Sequence, residues 1–346
     1  MKFITRFLVI ALLFLAIPDI TLATPINVNA VNAIAIDARS RVILYDKGGH
    51  KSVPMASTTK IITALIALNY GSLEEKFVIS SNAAQVRGSK VGYKAGEEIA
   101  VLELVYGLML KSGNDAAIAL AEGISGSVDK FSEVMNEYAK NMGLLNTNFQ
   151  SPHGLDSEYH FSSAYDLAIA TIKAKENPIF NKIVSTKFLS RSEGDFTRDY
   201  SNINKILWKE DATGVKTGYT GLAGKCLVSS FEKDGNEIVI VLLNSNLRFE
   251  ETEKLYKNIK ENYEYKCVFL KNQVLKVLST DKGKIELGVK EELVLPIKKN
   301  SGITKEIIVN KEVKIKGDIL KLNLGVIRVF QDEILIYEAP LQIIKK

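Results

Sequence analysis

The chain has 346 residues, a quarter of them charged, with a formal net charge of +5 and two cysteines. That length accommodates about two domains and a sizeable core. The mild positive excess, with no basic cluster interleaved with aromatics, argues against nucleic acid as a partner, and two cysteines make no disulfide framework.

Residues 1–23 read as a secretory signal: Lys2 and Arg6, an apolar run over 7–17, and the small-residue site Thr21-Leu22-Ala23. The run is short for a membrane span. An uncleaved anchor is the alternative, and either reading puts the body of the chain outside the cytoplasm. Residues 1–23 hold two basic groups and Asp19, a net +1, so the processed chain would carry +4.

Ala33-Ile34-Ala35-Ile36-Asp37 and Arg41-Val42-Ile43-Leu44-Tyr45 read as a hairpin around Ala38-Arg39-Ser40. Then comes Pro54-Met55-Ala56-Ser57-Thr58-Thr59-Lys60, opening an apolar run over 61–68. Pro54 and Ser57 suit a helix start. Positions i and i+3 share a helix face, so Lys60 lies within reach of the Ser57 hydroxyl. The helix beyond is apolar nearly all round and should be buried. Ser-x-x-Lys recurs from Ser127, Ser230 and Ser279. There the bland readings prevail: a helix cap, a strand end before a turn, and a charged strand-rich tail.

Residues 71–101 read as loop with short strands at 77–79 and 99–101. Within them Gly88-Ser89-Lys90 reads as a surface loop, with a rim over a site as the alternative. Helices are expected at about 102–111, 115–123 and 128–142, the last closed by Gly143. Ser163-Ala164-Tyr165-Asp166 has a capping-box pattern, which makes Asp166 first a structural residue. His153 and His160 stand in polar loops without metal-ligand partners and His50 is isolated, so neither a histidine-based triad nor a metal site has support.

Three antiparallel strands are expected at 214–220, 226–230 and 237–243, the last two joined by Lys233-Asp234-Gly235-Asn236. A helix over 250–262 closes the first domain. Arg248 reads as a surface arginine, with a carboxylate-holding role as the alternative. Cys226 and Cys267 read as free core thiols. Past 263 the pattern becomes short alternating segments at 284–288, 292–297, 306–309, 312–315, 320–324, 326–330 and 333–337, a small all-β domain. The elements predict an α/β domain over 24–264, a sheet covered by helices, followed by a β-rich domain over 265–346.

Ser57-Thr58-Thr59-Lys60, Ser112-Gly113-Asn114 and Lys216-Thr217-Gly218, in this order, resemble the penicillin-recognising serine hydrolases. Asn114-Asp115-Ala116-Ala117, Pro152-His153-Gly154-Leu155-Asp156, Tyr165-Asp166-Leu167-Ala168 and Gly214-Val215-Lys216-Thr217-Gly218-Tyr219-Thr220 narrow the resemblance. They point to low-molecular-mass penicillin-binding proteins of the D-alanyl-D-alanine carboxypeptidase family. The resemblance runs from about Ala33 to the C-terminus and is looser in the tail.

It implies a β-lactamase/transpeptidase-like catalytic fold without cofactor or metal. Ser57 would be the nucleophile, with Lys60 as its base and Ser112 relaying a proton to the leaving amine. Asn114 would hold the substrate amide or Lys60. Lys216 and Thr217 would bind the terminal carboxylate, and Gly218 would leave room for the substrate along the strand edge. The backbone N–H groups of Ser57 and Tyr219 would meet the oxyanion. The implied partners are the peptidoglycan pentapeptide stem and, as inhibitors, β-lactams. A DD-endopeptidase and a slow β-lactamase are alternatives, although Gly113 stands where class A β-lactamases have aspartate and no Glu-x-x-Leu-Asn occurs. A silent penicillin-binding module is the non-enzyme alternative. In the family an amphipathic membrane-binding helix follows the β domain. Residues 340–346 are short for one, and peripheral membrane association stays open.

Overall fold

Strand β1 (Asn32–Asp37) is buried at every residue, so both of its faces are covered. β2 (Ile43–Lys47) folds back on it, and β3 (Ala212–Thr220), β4 (Gly224–Lys233) and β5 (Asn236–Leu243) follow much later in the chain as a meander. The five form one antiparallel sheet ordered β2-β1-β5-β4-β3. The closing pair is non-local, with Ile34 opposite Val241. β3 is therefore an edge, which leaves one side of its backbone open to a ligand strand. The coordinates are a computed structural model that describes residues 26–280, 283–310 and 324–345. The signal expected over 1–23, the strand at 312–315 and all but the last residue of that at 320–324 lie outside the described residues.

Between β2 and β3 the chain carries the helices α1 (Lys60–Asn69), α2 (Ser81–Gln85), α3 (Val101–Leu110), α4 (Asn114–Ser125), α5 (Val128–Asn141), α6 (Ala164–Lys175) and α7 (Pro178–Ser185), with loops and two small two-stranded sheets among them. α1 is buried from 60 to 68, as its all-round apolar pattern requires. Ile34, Ile36, Val228 and Val241 face this helical layer, and their alternates Ala33, Ala35, Leu227 and Leu242 face a second core on the back of the sheet. That period-two split explains why the strands read as unbroken apolar runs.

Local signals mostly act as expected. Ser127 caps α5 by accepting from Lys130 N at 3.2 Å, which disposes of that Ser-x-x-Lys match. Ser163 caps α6, but Asp166 does not complete the box. Its carboxylate accepts from Asn146 N and the Thr147 hydroxyl, each at 2.7 Å, and ties down the loop before it. Ser230 lies buried inside β4 rather than at its end.

The back core is covered by α8 (Arg248–Asn262) and a β domain: β6 (Tyr263–Phe269), β7 (Gln273–Thr280), β8 (Gly283–Val289), β9 (Leu293–Lys298), β10 (Ile303–Val309), β11 (Gly325–Gln331), β12 (Ile334–Pro340) and β13 (Gln342–Lys345). These pair as β6-β9, β7-β8-β13 and β10-β11-β12. Phe269, Leu287 and Leu295 join one apolar cluster with Leu227 and Ile240 of the catalytic sheet. Tyr265 donates to the buried Asp37 carboxylate at 2.7 Å. Both cysteines are free. Cys226 is buried, but Cys267 is exposed on β6, so the expectation of a core thiol fails there.

Candidate active site

The nucleophile candidate sits one turn earlier than a simple helix start would put it. Residues Ala56–Thr59 form a 3-10 turn, and α1 begins at Lys60. The reason is local. The hydroxyls of Thr58 and Thr59 reach back three residues to Met55 O and Ala56 O, at 2.7 and 2.8 Å, and favour the tighter i→i+3 winding. Ser57 remains partly exposed among buried neighbours.

Lys60 Nζ lies 2.8 Å from Ser57 Oγ, 2.7 Å from Asn114 Oδ1 and 2.8 Å from the carbonyl oxygen of His153. Two of these oxygens are pure acceptors, since Asn114 is oriented by its Nδ2, which donates to Arg87 O at 2.6 Å. A neutral amine has two N–H bonds and one lone pair. With Asn114 and His153 taking the hydrogens, the lone pair points at the Ser57 hydroxyl. Burial, and after it the charge of Lys216, hold Lys60 well below the ordinary lysine range, while Asp115 opposes. The environment therefore favours the form that can accept a proton.

β3 forms the opposite wall. Gly218 packs so closely that a Cβ there would lie 3.0 Å from both Ser57 N and Ala56 Cβ. Lys216 is 1% exposed, and among the described residues its ammonium has one partner, the carbonyl of Thr217 at 2.9 Å. Burial, with the Arg248 charge adding, pushes Lys216 down to about 7. From the ordinary lysine value this displacement amounts to about 5 kcal/mol against the charged form, which a bound carboxylate would relieve. The hydroxyls of Thr217 and Ser112 engage no other group among the described residues, and both residues are nearly buried. Ser112 sits at φ +59° in the link of residues 111–113 between α3 and α4, next but one to Asn114. The Tyr219 side chain is 67% exposed, so only its backbone belongs to the wall.

Some functional neighbours were missed or misread in the sequence. Gly88-Ser89-Lys90 is a rim and not a free loop: Ser89 O accepts from Asn114 N at 2.8 Å, and a Cβ on Gly88 would stand 2.7 Å from Asn114 Nδ2. The buried Asp115 anchors the next stretch by accepting from the N–H groups of Val91, Gly92 and Tyr93 at 2.8–3.2 Å. Arg248 is not a surface arginine. It is part-buried behind β3, and its Nη1 donates to the carbonyls of Gly218 and Cys226 at 2.5 and 3.0 Å. The role of the His153 carbonyl had no sequence signal, because any residue supplies one. A groove of about 1250 Å³ lies elsewhere, lined by Glu103, Tyr106, Lys182 and Phe196, and holds no paired nucleophile and base.

Residues 19–246 match the family described as D-alanyl-D-alanine carboxypeptidase, Peptidase_S11. The chain is 35% identical over 311 residues to D-alanyl-D-alanine carboxypeptidase DacF of Bacillus subtilis, an alignment covering 84% of this chain and 77% of that one. Among solved structures it resembles penicillin-binding protein 5 of Haemophilus influenzae, with TM-score 0.81 and 28% identity over 92% of this chain and 98% of the other. It also resembles the Streptomyces K15 DD-transpeptidase, with TM-score 0.63 and 29% identity over 68% and 97%. The fold and site define a penicillin-binding serine peptidase with an α/β catalytic domain and a C-terminal all-β domain. The chain belongs to the D-alanyl-D-alanine carboxypeptidase family of serine hydrolases.

Proposed function

We propose that this protein removes the terminal D-alanine from peptidoglycan pentapeptide stems through an ester on Ser57. The observation that carries the reading is the placement of Lys60, with two fixed acceptors and its third position facing the Ser57 hydroxyl. As Ser57 Oγ attacks the carbonyl carbon of the terminal peptide bond, Lys60 takes its proton. The oxyanion forms between the backbone N–H groups of Ser57 and Tyr219, each donor being worth about 3 kcal/mol by the usual measure. Collapse breaks the C–N bond, and the leaving amine gains a proton through Ser112. Water then cleaves the ester, with Lys60 again the base. Penicillins acylate the same serine. The site lies outside the cytoplasm, delivered by the segment 1–23. No helix among the described residues is long and apolar enough to cross a membrane.

Lys216 and Thr217 bind the free carboxylate of the substrate, and Arg248 adds positive potential from behind the strand. A charge-assisted pair of this kind is worth roughly 1.5–3 kcal/mol, or about 10- to 150-fold in rate. The test compares kcat/KM on a D-Ala-D-Ala peptide with that on its C-terminal amide. The acid should react faster by that factor, and Lys216→Gln should remove most of the difference. Equal wild-type rates on acid and amide would take Lys216 out of carboxylate recognition and favour a DD-endopeptidase. A fluorescent penicillin should label the wild type but not Ser57→Ala.

A further inference from the structure

Ala56, the residue before Ser57, has φ +51°, in the left-handed region that residues with a Cβ enter only under constraint. Its carbonyl oxygen is pinned from one side. Gly154 packs against it so closely that a Cβ there would lie 2.0 Å from the oxygen. The Thr59 hydroxyl donates to it at 2.8 Å. That uses the only hydrogen Thr59 Oγ1 has, and the same oxygen lies 2.8 Å from His160 Nε2. On the far side of the ring, Nδ1 accepts the Gln150 N–H at 2.9 Å. A neutral imidazole carries one N–H, so an accepting Nδ1 puts the hydrogen on Nε2. The direction of the chain is thereby fixed: Gln150 N–H to His160, His160 to Thr59, Thr59 to Ala56 O. Ala56, Thr59 and His160 are all buried.

The Ala56 carbonyl and the Ser57 N–H belong to one planar trans unit and point in opposite directions. Holding the oxygen on the His160 side turns the N–H toward β3, where Gly218 abuts Ser57 N. We propose that His160 and Thr59 are positioning residues for the nucleophile. Through the Ala56 carbonyl they set the orientation of the Ser57 peptide, and so of the N–H that receives the oxyanion and the hydroxyl that attacks. Neither residue touches Lys60 or the carboxylate site through a hydrogen bond. The inference rests on Ser57 being the acylated serine.

The test measures acylation by a fluorescent penicillin, separating the noncovalent dissociation constant from the acylation rate constant, on full-length variants whose folding is checked by circular dichroism. Thr59→Val keeps the shape and removes the relay. It should lower the acylation rate constant tenfold or more while the dissociation constant stays within threefold. Thr59→Ser restores both hydrogen bonds and should return to within threefold of wild type. His160→Asn keeps an acceptor for Gln150 N–H but cannot reach Thr59, and should behave like Thr59→Val. His160→Gln, which can present a donor to Thr59, should stay closer to wild type. Wild-type acylation in Thr59→Val, or Thr59→Ser as slow as Thr59→Val, overturns the proposal, and that pair decides it even if a His160 variant fails to fold. Mass spectrometry of the labelled wild-type peptide keeps the two failures apart: label on a serine other than Ser57 sinks the assignment of the nucleophile, not the relay alone.

Discussion

Burial acts in the same direction on the lysines and histidines of this site, lowering each and favouring the neutral form. On the proposed reading, that suits Lys60 to act as a base, and it leaves Lys216 with a charge that an incoming carboxylate would restore. For His160 it keeps the ring neutral, and the partners at the two ring nitrogens then set the tautomer. Burial lowers His160 to about 4, with Asp156 opposing and Lys60 assisting, and lowers His153 to about 3. A histidine in the unfolded chain titrates near pH 6.5. As pH falls from about 6.5 to about 4, the unfolded chain takes up a proton at position 160 that the native state refuses. Stability therefore declines through that window and levels off for this group below it. The full effect of His160 is about 3 kcal/mol. The melting temperature should fall between pH 6.5 and 4, and His160→Gln should flatten that fall. A variant with the wild-type slope would show that another group is the source.

The elements that meet at Ser57 approach one another through missing side chains. The turn Ala56–Thr59 is wedged between Gly154 on one side and Gly218 of β3 on the other. Gly154 has φ +86°, and a Cβ there would meet backbone, which cannot swing aside. Gly154→Ala should cost more than 3 kcal/mol of stability by combining left-handed strain with overpacking. Gly218→Ala meets contacts of 3.0–3.2 Å, tighter than ordinary but within reach of a small strand shift. It should melt within about 1–2 kcal/mol of wild type and yet acylate at least tenfold more slowly. Thermal melts and penicillin labelling of both variants check the ranking, and wild-type labelling in Gly218→Ala would mean that β3 does not set the geometry of Ser57.

At the scale of the whole molecule, every candidate site residue precedes the helix-to-strand junction at Asn262 and Tyr263. The Streptomyces K15 DD-transpeptidase aligns over 97% of its own length with only 68% of this chain, so an enzyme of that size accommodates the same catalytic fold. We therefore expect a chain ending at 264 to fold and to label with penicillin. It should do so with reduced stability, because Phe269, Leu287 and Leu295 cover part of the back of the catalytic sheet and Tyr265 bonds Asp37. Melting several degrees below the full chain, with labelling retained, is the expected result. A truncated protein that folds by circular dichroism but does not label would place part of the site beyond residue 264.

Local chemistry made much of this legible in advance. Ser57 and Lys60 are neighbours because three residues of helical winding put them on one face, and the tight turn at Asp234-Gly235 sets the β4–β5 hairpin whatever surrounds it. The caps at Ser127 and Ser163 and the burial of α1 follow from short-range pattern in the same way. The rest depends on contacts between distant segments. The pairing of β1 with β5 puts β3 on an edge, the helix α4 carries Asn114 to Lys60 across 54 positions, and the loop around His153 closes the third side of the amine. Arg248 looked like any charged residue after a strand, and only the packed sheet turns it inward onto two carbonyls. His153 looked inert because it acts through a backbone carbonyl, and His160 because its proposed role lies in a tautomer, which is set by what the fold places at each ring nitrogen.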